Sequence, residues 1–131
     1  VATYGYSQGG GASAAAVEAG VRAATDVTGF GLLGHLHKLT RASGVRAVID
    51  ASAVPLVDGA RDALDDGYVS GGTRRNLDWV RDHLAVGRGV DENDLLMLAD
   101  AQTSGGLLLV GEVPGYPVIG EIVAGAGIDI R

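Results

Sequence analysis

The 131-residue sequence contains no cysteine, which excludes a disulfide framework, a thiolate metal site and a thiol nucleophile. Large aromatics are scarce, with one Trp, one Phe and four Tyr, so the core is expected to be aliphatic. No apolar run approaches the roughly 20 residues that a membrane span requires, and no signal-peptide pattern opens the sequence. A cytoplasmic protein without a membrane partner is the expectation. Positive charge is also thin: 10 Lys and Arg stand against 16 Asp and Glu, a net charge of −6. Nucleic-acid binders need clustered cations against the phosphate backbone, so no nucleic-acid partner is expected. A nucleotide bridged by a divalent metal is compatible with this balance.

Apolar residues make up 47% and charged residues 20%, the composition of one globular domain and not of a disordered chain. Glycine is abundant at 22 residues, well above the usual roughly 7%. The glycines fall between apolar runs, which points to tight turns and close backbone approaches.

Residues 1–11 form a poorly defined N-terminal segment whose Val-Ala-Thr-Tyr-Gly-Tyr suits a short strand, and 12–131 read as one domain. A short alanine-rich helix is expected over 12–19 and a strand over 21–25. In the stretch 30–43, Leu32, Leu33, Leu36 and Leu39 share one helical face, and Gly44 closes the helix. A strand follows over 45–49. Pro55 marks a helix start with Leu56, Ala60 and Leu64 as its buried stripe. Residues 67–72 read as a loop. Thr73 is the expected cap of a helix over 74–84 that turns Leu77, Val80 and Leu84 inward. The acids of 91–94 open another helix, complementing its dipole. Strands are expected over 107–110, 118–123 and 128–130. This mixture without regular βαβ alternation predicts an α+β fold, helices packed on a mixed β-sheet.

Chemistry concentrates in the stretch 24–36, Ala-Thr-Asp-Val-Thr-Gly-Phe-Gly-Leu-Leu-Gly-His-Leu. Asp26 suits a ligand to Mg²⁺ or Mn²⁺, one hard oxygen bridging to phosphate, and equally a helix N-cap or Asx-turn. Thr28, Gly29 and Gly31 suit either phosphate cradling by backbone N–H groups or tight-turn geometry. His35 and His37 are two apart and share no helical face; one is expected at the core edge and one, like His83, at the surface. Gly71-Gly72-Thr73-Arg74-Arg75-Asn76 reads as phosphate recognition or as a capped helix with solvated arginines. The loop 102–106, with Thr103 and Ser104, needs polar partners from its own backbone or from a ligand. No EF-hand pattern accompanies the acids of 91–94.

Three segments together, 24–36, 71–76 and Asp-x-Gln-Thr-Ser-Gly-Gly-Leu-Leu at 100–108, resemble the C-terminal domain of selenophosphate synthetases (selenide, water dikinases). Their order and spacing also fit, and the likeness extends over most of 12–131. The resemblance implies the aminoimidazole ribonucleotide synthetase-like C-terminal fold. It also implies ATP as substrate, converted with selenide and water to selenophosphate, AMP and phosphate, with Mg²⁺ or Mn²⁺ held by aspartates. Asp26 matches the aspartate supplied by this domain. By the same likeness, Thr28, Gly29, Gly72, Thr73, Asn76, Thr103 and Ser104 are the expected nucleotide-site residues. The intact enzyme is expected to be a homodimer.

The sequence also departs from the family. It lacks the N-terminal domain, and with it the catalytic Cys or selenocysteine, the lysine and the Gly-rich loop. No catalytic residue is therefore expected in this chain, and alone it is expected to be inactive. Ala101 stands where a proline is usual. Between Val110 and Val118, where the family has a helix, only Gly-Glu-Val-Pro-Gly-Tyr-Pro remains. Two other readings share the fold: a non-catalytic nucleotide-binding or subunit-interface module, and a related ATP-dependent enzyme of purine synthesis or hydrogenase maturation. Thr-Gly-Phe-Gly at 28–31 speaks against the latter.

Overall fold

A computed structural model of the chain describes residues 2–5, 23–56, 58–101, 106–111, 113–114 and 116–131. The expected helix over 12–19 and the residues Thr103 and Ser104 lie outside the described residues. The leucine periodicity of 30–43 folds as helix α1 (Gly31–Ser43), with Leu32, Leu33 and Leu36 buried beneath it. It ends where Gly44 adopts φ 64°, the left-handed C-cap that a side chain would disfavour. Three further helices follow: α2 (Ala60–Asp65), α3 (Gly71–Val80) and α4 (Glu92–Leu98). Asp91 closes a capping box with Asp94 at the start of α4, satisfying two otherwise orphaned donors reciprocally.

Among the described residues the strands are β1 (Ala2–Gly5), β2 (Ala23–Asp26), β3 (Val45–Ile49), β4 (Leu84–Val86), β5 (Leu107–Val110), β6 (Val118–Ala124) and β7 (Gly127–Ile130). They form one sheet in the order β2-β5-β1-β6-β3-β7-β4. The uninterrupted apolar run of β5 suits its place: it pairs antiparallel with β1 on one edge and β2 on the other. β3 lies antiparallel to β6 but parallel to β7, which is parallel to β4 in turn. The sheet is therefore mixed and the fold α+β.

One face of the sheet meets the helices. Because successive strand side chains point to opposite faces, Ala47 and Ile49 of β3 and Ile128 and Ile130 of β7 enter one core. There they join Leu33 and Leu36 of α1, Leu77 and Val80 of α3, and Leu95, Leu96 and Leu98 of α4. Leu109 points the other way and packs with Val113, Leu107 and Tyr116. Among the described residues no helix is long and apolar enough to cross a membrane.

Several local expectations are corrected. The helix read from Pro55 begins instead at Ala60, after a 3₁₀ turn (Ala51–Ala53) capped by Asp50; Leu56 is exposed and only Leu64 of the expected stripe is buried. The helix read over 74–84 starts earlier and stops sooner. Ser70, not Thr73, accepts the capping N–H, and Leu84 opens β4. His37 is buried and His35 half-buried, so neither is a surface residue; His83 is exposed as expected.

Candidate functional site

β2 ends at Asp26, opposite Leu107. One residue further, the buried Val27 donates its N–H to Gly106 O at 2.9 Å. The chain then turns, Gly31 N–H donating to Thr28 O at 3.0 Å. Helix α1 starts with Phe30 as N-cap, no side-chain capping bond and no acid in its first turn. The N-cap alternative for Asp26 is thus not what the structure shows. Its carboxylate is exposed at the strand end and accepts no hydrogen bond among the described residues.

The glycines of this motif have different tasks. At Gly31 the backbone has φ +71°, and an added Cβ would stand 2.6 Å from the carbonyl carbon and oxygen of Ala99. The residue therefore answers to both a left-handed turn and a close backbone approach. At Gly34 a Cβ would fall 2.6 Å from Phe30 Cβ, so its bareness makes room for Phe30 to fold back on the helix. Gly29 differs. A Cβ there would meet nothing within 4 Å, and its φ is not in the left-handed region.

Helix α3 and the end of α4 hold this loop in place. The Asn76 side-chain amide donates to Gly29 O at 2.9 Å and to Ala99 O at 3.1 Å, using both of its hydrogens. Thr73, only 1% exposed, donates its hydroxyl to Asp100 at 2.9 Å and accepts Ala101 N–H at 3.2 Å. That second bond requires an N–H at position 101, which a proline could not provide. Gly72 lies against Ala101, whose Cβ would stand 3.7 Å from a Cβ added at Gly72, an ordinary contact. Arg74 and Arg75 are exposed. The 71–76 segment thus reaches the 28–31 turn through Asn76 and the 99–101 segment through Thr73, and it holds the two ends of this surface together.

Sequence reasoning missed two participants. The first is His35, whose Nε2 is hydrogen-bonded to Thr28 Oγ1 at 3.2 Å; Thr28 precedes the helix, so no helical spacing announced the pair. Burial, and then the Lys38 ammonium, push the His35 imidazole below its ordinary value, opposed by the Asp26 charge. The second is Asp100, whose carboxylate anchors Thr73 from 27 residues away. Within the turn, Phe30 is 45% exposed. Its ring carries Lys38 Nζ at 3.8 Å from the centroid and meets Trp79 at 5.7 Å.

Chemically, the surface presents a free carboxylate, a hydroxyl held by His35, an open glycine and an uncapped helix N-terminus. A helix N-terminus with unpaired N–H groups favours an anion, and an exposed carboxylate suits a hard divalent cation. Among the described residues no group of three His, Cys, Asp or Glu is arranged to hold a metal ion. Asp26 therefore fits a metal as one ligand of a set completed elsewhere.

Fold and site together define a class: an α+β domain whose Gly-rich strand–turn–helix forms an open, polar wall at one end of the sheet. The chain belongs to the family described as AIR synthase related protein, C-terminal domain, whose profile matches residues 10–131. It is similar to the selenide, water dikinase of Haemophilus influenzae, 40% identical over 111 residues covering 85% of this chain and 31% of that protein. It is also similar to the selenide, water dikinase of Bordetella bronchiseptica, 45% identical over 109 residues covering 83% and 30%. The chain thus spans under a third of the length of these curated relatives. Among solved structures, the thiamine monophosphate kinase of Aquifex aeolicus is similar at 16% identity, covering 85% of this chain and 32% of that one with a TM-score of 0.49.

Proposed function

We propose that this chain is the C-terminal ATP- and metal-site domain of a selenide, water dikinase, an enzyme forming selenophosphate, AMP and phosphate from ATP, selenide and water. The relatives that bear this name align over most of the chain. The observation that carries the site is the Asp26 carboxylate: exposed, unbonded among the described residues, and next to an uncapped helix N-terminus.

In this reading Asp26 supplies one oxygen to Mg²⁺ or Mn²⁺, and the metal would neutralise phosphate charge during phosphoryl transfer. The Thr28 hydroxyl, oriented by His35, and the backbone at Gly29 face the phosphates. Gly29 is bare because the nucleotide comes close there. Asn76 and Thr73 act by fixing the loop, and Gly72, Thr103 and Ser104 take part in binding the nucleotide. The remaining metal ligands and the nucleophile come from a companion domain, so the 131-residue chain alone is inactive. The working enzyme is a cytoplasmic homodimer.

The test joins this domain to its companion domain and follows ATP with and without selenide. Selenide-dependent release of AMP and phosphate is expected. Release of ADP alone, or turnover indifferent to selenide, would overturn the assignment.

A further inference from the structure

Ten residues along α1 from Gly31, and so about 15 Å from the Asp26 loop at the 1.5 Å rise of a helix, a second polar constellation lies at the helix's other end. A cleft of about 440 Å³ there is lined by His37 and Arg41 of α1, by His83, and by Gly44, Val45 and Gly127 among others. The His37 and His83 rings stack with centroids 4.1 Å apart and planes 23° off parallel, and Trp79 packs edge-on against His37 at 5.4 Å.

No carboxylate lines this cleft, in a chain that is otherwise acidic. Of the nearby acids, Asp129 is paired with Arg46, and Arg41 has no ion-pair partner among the described residues. The Thr40 hydroxyl donates back to His37 O at 3.0 Å, so it offers the cleft no donor. Burial first, then His83 and then Arg41 hold the His37 imidazole below its ordinary range. The Arg41 guanidinium thus stands in the lining beside two imidazoles and no carboxylate. The contrast with the cleft of about 390 Å³ beside Asp50 and Arg61 is informative. There carboxylates line the cleft, and Arg61 is already paired with Asp94.

The geometry points to the His37–Arg41–His83 cleft as a binding site for a phosphate group, either the free ion or the phosphate of a small monoester. The guanidinium of Arg41 supplies a planar fork matched to phosphate oxygens, and each of the two imidazoles carries a ring N–H that can donate. Gly44, whose added Cβ would meet nothing within 4 Å, leaves the entrance open. The cleft is larger than a phosphate ion needs, which leaves room for the body of a monoester. This site does not depend on the assignment of the Asp26 loop.

The test follows the His37 and His83 ring resonances of the 131-residue chain by NMR. Inorganic phosphate, ribose 5-phosphate and, as a control at equal ionic strength, sodium chloride are titrated in turn. Saturable shifts at both rings with a phosphate probe but not with chloride are expected. In Arg41→Ala the affinity should fall about tenfold, the loss of one charge-assisted interaction. Arg41 is exposed in the last turn of α1, so this variant keeps the fold, which unchanged core methyl resonances would verify. Tighter binding of ribose 5-phosphate assigns the site to a monoester, and tighter binding of inorganic phosphate assigns it to the free ion. Shifts that never saturate, that persist unchanged in Arg41→Ala, or that fall at Gly29 and Gly31 instead would overturn the proposal.

Discussion

Replacing Gly31 by alanine should break the candidate site from within, while the same change two residues earlier should leave the fold intact. At Gly31 two penalties combine. A side chain at φ +71° costs about 1–2 kcal/mol in the left-handed region. The new Cβ would also stand 2.6 Å from the Ala99 carbonyl carbon and oxygen and 2.8 Å from Asp100 O. These are backbone atoms of a segment held by Thr73 and Asn76, so little can give, and overpacking of this kind costs about 1–3 kcal/mol. The sum is about 2–5 kcal/mol. With a urea dependence of roughly 1–3 kcal/mol/M, the midpoint of Gly31→Ala should fall by on the order of 1–2 M. Gly29→Ala meets no atom within 4 Å and should stay within about 0.5 kcal/mol of the parent. On the proposed function, Gly29→Ala in the chain joined to its companion domain should instead raise the KM for ATP, because the methyl group would stand where that reading puts the phosphates. Urea unfolding followed by circular dichroism decides the first half and steady-state kinetics the second. A Gly31→Ala variant as stable as the parent, or a Gly29→Ala variant equally destabilised, would refute the reading of this turn.

Asn76→Ala leaves Gly29 O and Ala99 O without their donor and should cost about 1–2 kcal/mol. Asn76→Asp should cost more, since a carboxylate would face two carbonyl oxygens; amide hydrogen exchange at Gly31 should accelerate in both. Gly120→Ala in β6 would place a Cβ 2.0 Å from Val48 O, between two paired strands, and should destabilise by at least about 3 kcal/mol in the same urea assay. Acid should weaken the fold in two stages. His37 has a folded pKa below its ordinary 6.5. Its unfolded form therefore binds protons first, and the stability present above pH 6.5 is lost as pH falls through that value. Asp94 and Glu92 are lowered by hydrogen bonds from Arg61 and Arg81 respectively. Their contribution is complete above their ordinary 3.8 and 4.5 and disappears as pH falls through their folded values. Urea midpoints from pH 8 to pH 3 should decline first as pH falls below the ordinary histidine value of 6.5 and again below about 4.5; a profile with no decline until the carboxylates titrate would exclude the histidine stage.

Much of the fold was legible because its signals were local. The leucine spacing of α1, the Gly44 stop, the apolar run of β5 and the acids opening α4 all depend on neighbours within a few residues. The errors share a cause: a distant partner decided them. Leu84 continues the helical period of Leu77 and Val80, yet β7, arriving from the end of the chain, pairs with it and draws it into β4. Ser70 and Thr73 are both good caps, and only Asp100 and Ala101 settle that Thr73 turns to them instead. His37 owes its burial to packing against Trp79 and His83, which periodicity on one helix does not reveal. In the site, the position of Asp26 at a strand end was readable. The clamp by Asn76 was not, because one polar side chain at a helix start looks the same whether it holds a ligand or two carbonyls.

The central claim is that Asp26 faces a metal rather than supporting the fold, and the most direct measurement is Asp26→Asn in the two-domain enzyme, titrated with Mg²⁺ and Mn²⁺. The carboxylate accepts no hydrogen bond among the described residues, so the urea midpoint of the variant should match the parent. The metal concentration for half-maximal ATP cleavage should rise at least about tenfold, the scale of losing one charged ligand. Unchanged metal dependence at unchanged stability would contradict the account.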